Sequence, residues 1–417
     1  MFKKTPGTKD ILPEEVSSWQ AIEEATRNIF SLYNYKEIRL PIIEEAALFN
    51  RSLGDSAEIV QKQMFLIKKD KDVYALRPEG TASIVRAYLE NNLDKTTGLI
   101  KVYYIGPMFR AERPQKGRLR QFHHLGCEVI GSEVPYLDAE IISLADNLLK
   151  AYGIEDYEIK INSLGCAKDQ KEFTEVLRRS LKRKLTKLCD DCKVRFKQNV
   201  LRILDCKNEG CIEAVKKLDI REEHLCLECK GHFDKVRELL DSLNIGYKVN
   251  PYLVRGLDYY TRTVFEIVHH DLGSQNALGA GGRYDNLVSD LGGPDTGAIG
   301  FAFGMERLLL VRSSESGVRS KNLVYLITLG EEAKKKGLKV LADLRKEEIC
   351  ADTDYEDKSL KGAMRKANDL RAKYVLILGE DELRKNILTL KDMASGEQKE
   401  VKQDELVNEL RNLLQKG

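Results

Sequence analysis

One acid stands inside an otherwise apolar strand, and it constrains the fold more than any other feature of the chain. Residues 121–131 read Gln-Phe-His-His-Leu-Gly-Cys-Glu-Val-Ile-Gly, with Glu128 among Leu125, Cys127, Val129 and Ile130. Side chains alternate between the faces of a strand. Phe122, His124, Gly126, Glu128 and Ile130 therefore share one face, and Leu125, Cys127 and Val129 the other. The second set suits a core. The first set, an aromatic, a His, a bare Gly and an acid, suits the floor of a pocket. Upstream, an apolar strand ends in Phe109-Arg110 and runs into a loop carrying Arg113, Lys116, Arg118 and Arg120. Residues 102–110 and 121–131 are expected to form a hairpin around that cationic loop. Two readings of Glu128 follow. Buried acids are normally paired, so it could bridge to a neighbouring Arg for structure alone, or it could select a polar ligand beside a loop that holds an anion.

A chain of 417 residues favours two or three domains with ample core. Its 42% apolar and 32% charged residues are those of a globular chain. A net charge of +2 rules out a polycation, so a nucleic acid partner must be held by local patches. The start, Met1-Phe2-Lys3-Lys4-Thr5-Pro6-Gly7, leads into no apolar segment, so no secretory signal is expected. No run approaches the roughly 18 apolar residues of a membrane span. Nine cysteines in such a chain point to a cytoplasmic location with reduced thiols or a metal site, rather than to disulfides.

Helical spacing covers 13–33, opened by Pro13 and acids. Lys36–Ile43 reads as a strand with Pro41 inside it, hence at an edge or interface. A short strand at Val73–Arg77, a helix at Gly80–Glu90 and another at 138–152 complete a first segment, 1–165. From 166 to 240 cysteines cluster, Lys and Arg crowd 178–187 and helical patterns shorten, as in an inserted module. Strands resume at 247–268 and run, glycine-rich, through 304, giving a second segment, 241–312. A polar linker spans 313–322. Beyond it, strands at 323–329, 348–354 and 374–379 alternate with helices at 331–346 and 357–372. That alternation predicts a separate α/β domain, 323–417.

Other residues could carry chemistry. In Arg77-Pro78-Glu79-Gly80-Thr81, at a strand-to-helix turn, Glu79 is either a favourable first-turn acid or, with the Thr81 hydroxyl, a binder of a ligand ammonium. In 297–307, Gly300, Ala302 and Gly304 share a strand face. That face either packs closely or leaves room for a flat ring. Arg307 follows in the first helical turn, where its charge opposes the dipole, and a purine stacked beneath it would explain both features. Gly279–Tyr284 resembles a phosphate loop only loosely, and Leu253–Tyr260 says little alone. Cys189-x-x-Cys192 and Cys226-x-x-Cys229 could share a structural zinc. The gap between them is long, and Cys206 and Cys211 compete, so these thiols are equally readable as reduced and unliganded. No His or acid nearby suggests an open catalytic metal site.

Together these segments resemble class II aminoacyl-tRNA synthetases, specifically the histidyl-tRNA synthetase family, over essentially the whole chain. Pro41 falls in a segment like motif 1, the dimer-forming element. Phe109-Arg110-Ala111-Glu112 through Phe122 resembles motif 2, and Gly297–Arg307 motif 3. Tighter likenesses are Leu253–Tyr260 with Thr261-Arg262-Thr263-Val264-Phe265-Glu266, and Gly281-Gly282-Arg283-Tyr284-Asp285.

The resemblance implies an α+β catalytic domain on an antiparallel sheet flanked by helices, a helical insert and a C-terminal α/β anticodon-binding domain. It implies a homodimer that charges tRNA(His) with L-histidine, using ATP and Mg²⁺ and passing through an adenylate. Arg110 would hold the ATP α-phosphate, Glu112 the adenine amino group, Phe122 and Arg307 the two adenine faces, and Arg118 the outer phosphates. Glu79, Gly80 and Thr81 would border the histidine ammonium, Glu128 and Tyr260 the imidazole, with Tyr259 and Tyr284 beside it. Arg255 would contact the carboxylate and the α-phosphate. His124 stands where bacterial-type members are expected to carry Gln. A protonated ring there would repel the ammonium near pH 6, whereas a neutral one could accept from it. A competing reading is a synthetase-like regulatory subunit of histidine biosynthesis, which would lack the anticodon domain. Another, a zinc-dependent nucleic-acid module, accounts for the insert alone.

Overall fold

The expected hairpin forms, as strands Ile100–Phe109 and Gln121–Ile130, at the heart of an eight-stranded sheet. The computed structural model describes residues 2–415 apart from 55–56, 96–97, 116, 217, 219–223, 313–321, 355 and 357. Lys116 and nearly all of the expected linker 313–322 thus lie outside the described residues. In order across the sheet run Lys36–Glu37, Ile100–Phe109, Gln121–Ile130, Ala298–Gly304, Ala277–Arg283, Thr261–His269, Tyr157–Ser163 and Lys248–Val249. The long inner strands pair antiparallel, and the two short outer ones join in parallel.

The sheet separates two apolar layers. Leu125, Cys127 and Val129 face one core, which helices Pro13–Leu32 and Pro135–Ala151 help to build. Tyr104, Ile130 and Val264 face the other, with helices Ala46–Leu53 and Thr81–Glu90. Slipping Gln121–Ile130 by one residue would exchange these sets. At about 1.5–3 kcal/mol per large aliphatic side chain, burial of Leu125 and Val129 opposes that slip.

The strand expected over 36–43 is instead divided. Lys36–Glu37 stays at the edge of the large sheet, and Ile43–Glu45 joins a small sheet with Asp72–Leu76 and Phe65–Lys69. Pro41, between them, has no N–H for a ladder. Arg77 Nη1 takes the carbonyls of Leu40 and Pro41, at 2.9 and 3.3 Å, that a strand would have used.

Residues 167–216 are helical and surround a small core of Phe173, Leu177, Leu181, Val200 and Ile203. Helix Leu227–Ser242, read from the cysteine texture as the end of the insert, places Phe233, Val236 and Leu240 in the main core instead. Its His232 ring lies 3.0 Å from Asp138.

The chain divides into two compact units, Met1–Val318 and Arg319–Gly417. The second has a five-stranded sheet in the order Ala351–Thr353, Val324–Thr328, Tyr374–Leu378, Ile387–Asp392 and Gln398–Lys402. The first three strands are parallel, as their alternation with helices requires, and the last two turn antiparallel. That final hairpin and helix Leu406–Gln415 were not expected. In Gln398–Lys402 only Val401 is buried, so little period-two signal survives there.

Candidate active site

Over the face that carries Phe122, His124 and Glu128 opens a cavity of about 690 Å³. Glu79, Gly80, Thr81, Arg110, Glu112, Arg118, Phe122, His124, Glu128, Arg255, Tyr259, Tyr260, Tyr284 and Arg307 all border it. Residues scattered over more than half of unit one are therefore brought to one place by the strand order.

At the deep end lies Glu128, 1% exposed. No Arg or Lys pairs with it among the described residues, which removes the structural-bridge reading. The Thr81 hydroxyl donates to its Oε1 at 2.7 Å and the Tyr284 hydroxyl to its Oε2 at 2.6 Å. Burial pushes the carboxyl up to about 8, against the pull of the two hydroxyls, and nearby Glu79 adds to the rise. Tyr259 stacks obliquely on Tyr260, ring centres 4.8 Å apart, and meets Tyr284 edge-on at 5.7 Å. Burial raises the Tyr260 phenol to about 12, so it remains a neutral donor. Tyr104, which the sequence reading passed over, also borders the cavity, and its ring fills the space beside Gly80 and Gly126. The available signal was the bare Gly126, directly opposite Tyr104 in the hairpin.

Glu79 serves both of its readings. Its carboxylate accepts from the amides of Thr81 at 2.6 Å and Ala82 at 2.9 Å, capping helix Thr81–Glu90, and it still faces the cavity. Burial raises its pKa.

The wider end is cationic. Arg110 donates from Nε to Pro78 O at 2.9 Å, with its guanidinium 5.3 Å above the Phe122 ring. Arg118 pairs with Glu112 at 3.0 Å. Arg307 reaches the carbonyls of Gly117 at 3.1 Å and Ala277 at 2.6 Å. Arg255 donates to Glu266 Oε1 at 2.6 Å. Glu266 is a second residue not singled out beforehand. Its partner Arg255 stands 11 residues earlier, in the loop before the same strand, so both lie in one signature segment.

The glycine face of Ala298–Gly304 divides between its two readings. A Cβ on Gly300 would overlap Glu128 Oε2 and Cys127 O, so close packing accounts for that glycine. A Cβ on Gly304 would meet only Arg307, at 3.5 Å, so there the face is open. The Gly279–Tyr284 segment is no phosphate loop. Ala277–Arg283 is a strand, and fully buried Arg283 reaches Ser132 O at 2.9 Å and Asp138 at 3.4 Å.

His124 stands edge-on to Phe122, ring centres 5.0 Å apart, with Nδ1 buried and unpartnered. Burial, then the positive Arg110 and Arg307, hold its pKa well below the usual value for histidine. Burial and the two guanidiniums thus favour the neutral ring.

The two Cys-x-x-Cys pairs do not meet. Cys189 and Cys192 converge with Cys206 and Cys211, whereas Cys226 and Cys229 converge with Cys166 and Asp169. The single site shared by the two pairs is thus corrected. Among the described residues no helix is long and apolar enough to cross a membrane.

Residues 7–308 match the family model described as histidyl-tRNA synthetase, and 323–413 the anticodon binding domain. A histidine–tRNA ligase of Thermodesulfovibrio yellowstonii is 47% identical, covering 97% of both chains. One from Clostridioides difficile is 43% identical, over 99% of this chain and all of that one. The crystal structure of apo Staphylococcus aureus histidyl-tRNA synthetase superposes with a TM-score of 0.81 at 35% identity, covering 98% of this chain and 99% of that one.

Proposed function

The chain belongs to the histidyl-tRNA synthetase family, ligases that charge tRNA(His) with histidine at the expense of ATP, and from that premise we propose how its residues divide the work. The match to an anticodon-binding domain over 323–413 disfavours the regulatory alternative, which was expected to lack one.

The observation that carries the assignment is Glu128, a buried carboxyl held by two hydroxyls instead of a cation. It receives the histidine imidazole together with Tyr260, between Tyr259 and Tyr284. A side chain without hydrogen-bonding groups would leave these buried polar atoms unpaired, so it is rejected. Glu79 and Thr81, beside Gly80, accept from the ammonium, and neutral His124 accepts with them. Arg255 and Arg110 hold the carboxylate against the ATP α-phosphate. Glu112 takes the adenine amino group, Phe122 and Arg307 its two faces, and Arg118 the outer phosphates. Arg118 now pairs with Glu112, so ATP binding exchanges that carboxylate for phosphate.

A carboxylate oxygen of histidine attacks the α-phosphorus and pyrophosphate leaves. A terminal ribose hydroxyl of tRNA then attacks the histidyl carbonyl, and AMP leaves. The first nucleophile is already ionised at neutral pH, so that step asks for alignment and charge neutralisation, not a general base. Arg110 and Arg255 supply both. Mg²⁺ bound with ATP would add to the neutralisation, and Glu266, a cavity carboxylate with hard oxygen donors, suits it.

Residues 1–165 and 227–312 act as the catalytic domain, 166–226 as its insert and 323–417 as the anticodon reader. A homodimer is supported by the small sheet near Pro41, where Ile43 is 52% and Leu66 49% exposed. The setting is the cytoplasm, where tRNA is charged.

ATP–pyrophosphate exchange measured with each of the twenty amino acids tests the reading. Histidine alone should stimulate it. Stimulation by another amino acid, or none by histidine, overturns it.

A further inference from the structure

We propose that unit one holds two structural zinc ions, one in the quartet Cys189, Cys192, Cys206 and Cys211, the other in Cys166, Asp169, Cys226 and Cys229. In each quartet the ligand atoms all lie within 4.8 Å of one another. The Sγ atoms of Cys189 and Cys206 are 3.8 Å apart. Zinc–sulfur bonds of about 2.3 Å at the tetrahedral angle set sulfurs roughly 3.8 Å apart, whereas a disulfide needs about 2.05 Å. Soft thiolates in a tetrahedral set select zinc over hard cations. Four protein ligands close the site, so its role is structural and not catalytic.

Sequence and structure support the pairing independently. Cys166-x-x-Asp169 repeats the spacing of Cys226-x-x-Cys229, and the inner quartet lies wholly between those two halves. Cys166, Cys189 and Cys226 each stand at the N-cap of a helix, Ala167–Lys182, Asp190–Gln198 and Leu227–Ser242. The positive end of a helix favours a thiolate. Asp169 is aimed by the amides of Cys226 at 3.1 Å and Cys166 at 3.3 Å. Of the nine cysteines, only Cys127 and Cys350 stand outside the two groups.

The inner ion would also secure the catalytic cavity. Cys189 and Cys206 border it, beside Asp205 and Asn208. Between them, Asn199 donates to Asp258 at 3.0 Å and Arg202 to Gly256 O, so this segment grips the loop that carries Arg255. The insert's own apolar core is small, and a small core gains most from a staple. The effect on the cavity rests on the functional reading above; the metal sites do not.

Elemental analysis of the full chain, purified without chelator, should find two zinc ions per chain. Cys192→Ser should lose one and Cys229→Ser the other. Cobalt exchanged into the protein should show the intense visible bands of a tetrahedral thiolate site. No zinc and no such bands overturn the proposal. A single zinc that Cys192→Ser removes and Cys229→Ser leaves overturns the outer site and upholds the inner. Removing zinc with EDTA from wild-type protein should raise the histidine KM in exchange by roughly tenfold, restored by added zinc. Unchanged kinetics in metal-free protein overturn the link to the cavity. Bound zinc without any histidine-dependent exchange would uphold the sites and sink the functional reading instead.

Discussion

Glu128 keeps its proton to about pH 8 because burial outweighs the hydroxyls of Thr81 and Tyr284. Its folded pKa is raised above the ordinary carboxyl value of 4.5. The stability it contributes is therefore complete below that value and is lost as pH climbs through about 8. Glu128→Gln cannot ionise, so ligand-free wild type should lose melting temperature relative to the variant between about pH 5 and 8. Each pKa unit corresponds to about 1.4 kcal/mol, and each kcal/mol to roughly 1–2 °C in a unit the size of Met1–Val318. Parallel Tm–pH curves would show that Glu128 is not the buried acid described. His124 carries the opposite shift, and its neutral form persists below pH 6.5. The ratio of kcat/KM for histidine between wild type and His124→Gln should then be the same at about pH 6 and 7.5. A ratio that collapses at pH 6 would mean the ring gains a proton there. Arg255→Ala should slow exchange by roughly 10²–10³, the usual loss for one transition-state donor. Its partner Glu266 keeps 22% side-chain exposure, so the stranded charge still reaches water and the fold should survive. Near-wild-type exchange in that variant would remove Arg255 from the mechanism.

Strand Ala298–Gly304 shows how an element shapes a pocket by what it lacks. Gly300 pairs directly with Glu128 across the ladder, and any Cβ there displaces the carboxyl. Gly300→Ala should cost about 1–3 kcal/mol of stability and raise the histidine KM more than the ATP KM. Gly304→Ala, whose Cβ would meet only Arg307 at an ordinary contact distance, should spare the histidine KM. Equal effects on both substrates in both variants would refute that division of the strand. The two faces of Gln121–Ile130 were legible because period-two alternation is strict there and burial enforces it. The hairpin Ile387–Asp392 and Gln398–Lys402 was not, because a charged edge strand with one buried side chain carries no alternation. Fourteen pocket residues could be placed from motifs and the family resemblance, but Tyr104 and Glu266 could not, since each is defined by its partner on another segment, Gly126 and Arg255. The cysteines failed for a related reason. Spacing suggested joining the two Cys-x-x-Cys pairs, but helix packing joins Cys226 and Cys229 to Cys166 and Asp169 instead.

At the scale of the molecule, two units each close their own core. Leu125 and Val129 pack within the first, Val324, Leu341 and Leu376 within the second. Among the described residues, none beyond Arg307 borders the catalytic cavity. Histidine activation is therefore expected to need only Met1–Val318, whereas charging must also grip a tRNA. A net charge of +2 supplies no general attraction to that polyanion, so tRNA must be held at separate patches whose linkage multiplies their affinities. A chain ended after residue 318 should keep histidine-dependent exchange within about tenfold of the full protein. Its kcat/KM for tRNA charging should fall by roughly 10² or more, the loss expected when one of two linked contacts is removed. Measuring both reactions on the same preparation separates the outcomes. If exchange and charging fall together, the second unit supports the fold of the first; if neither falls, anticodon reading by 323–417 is wrong.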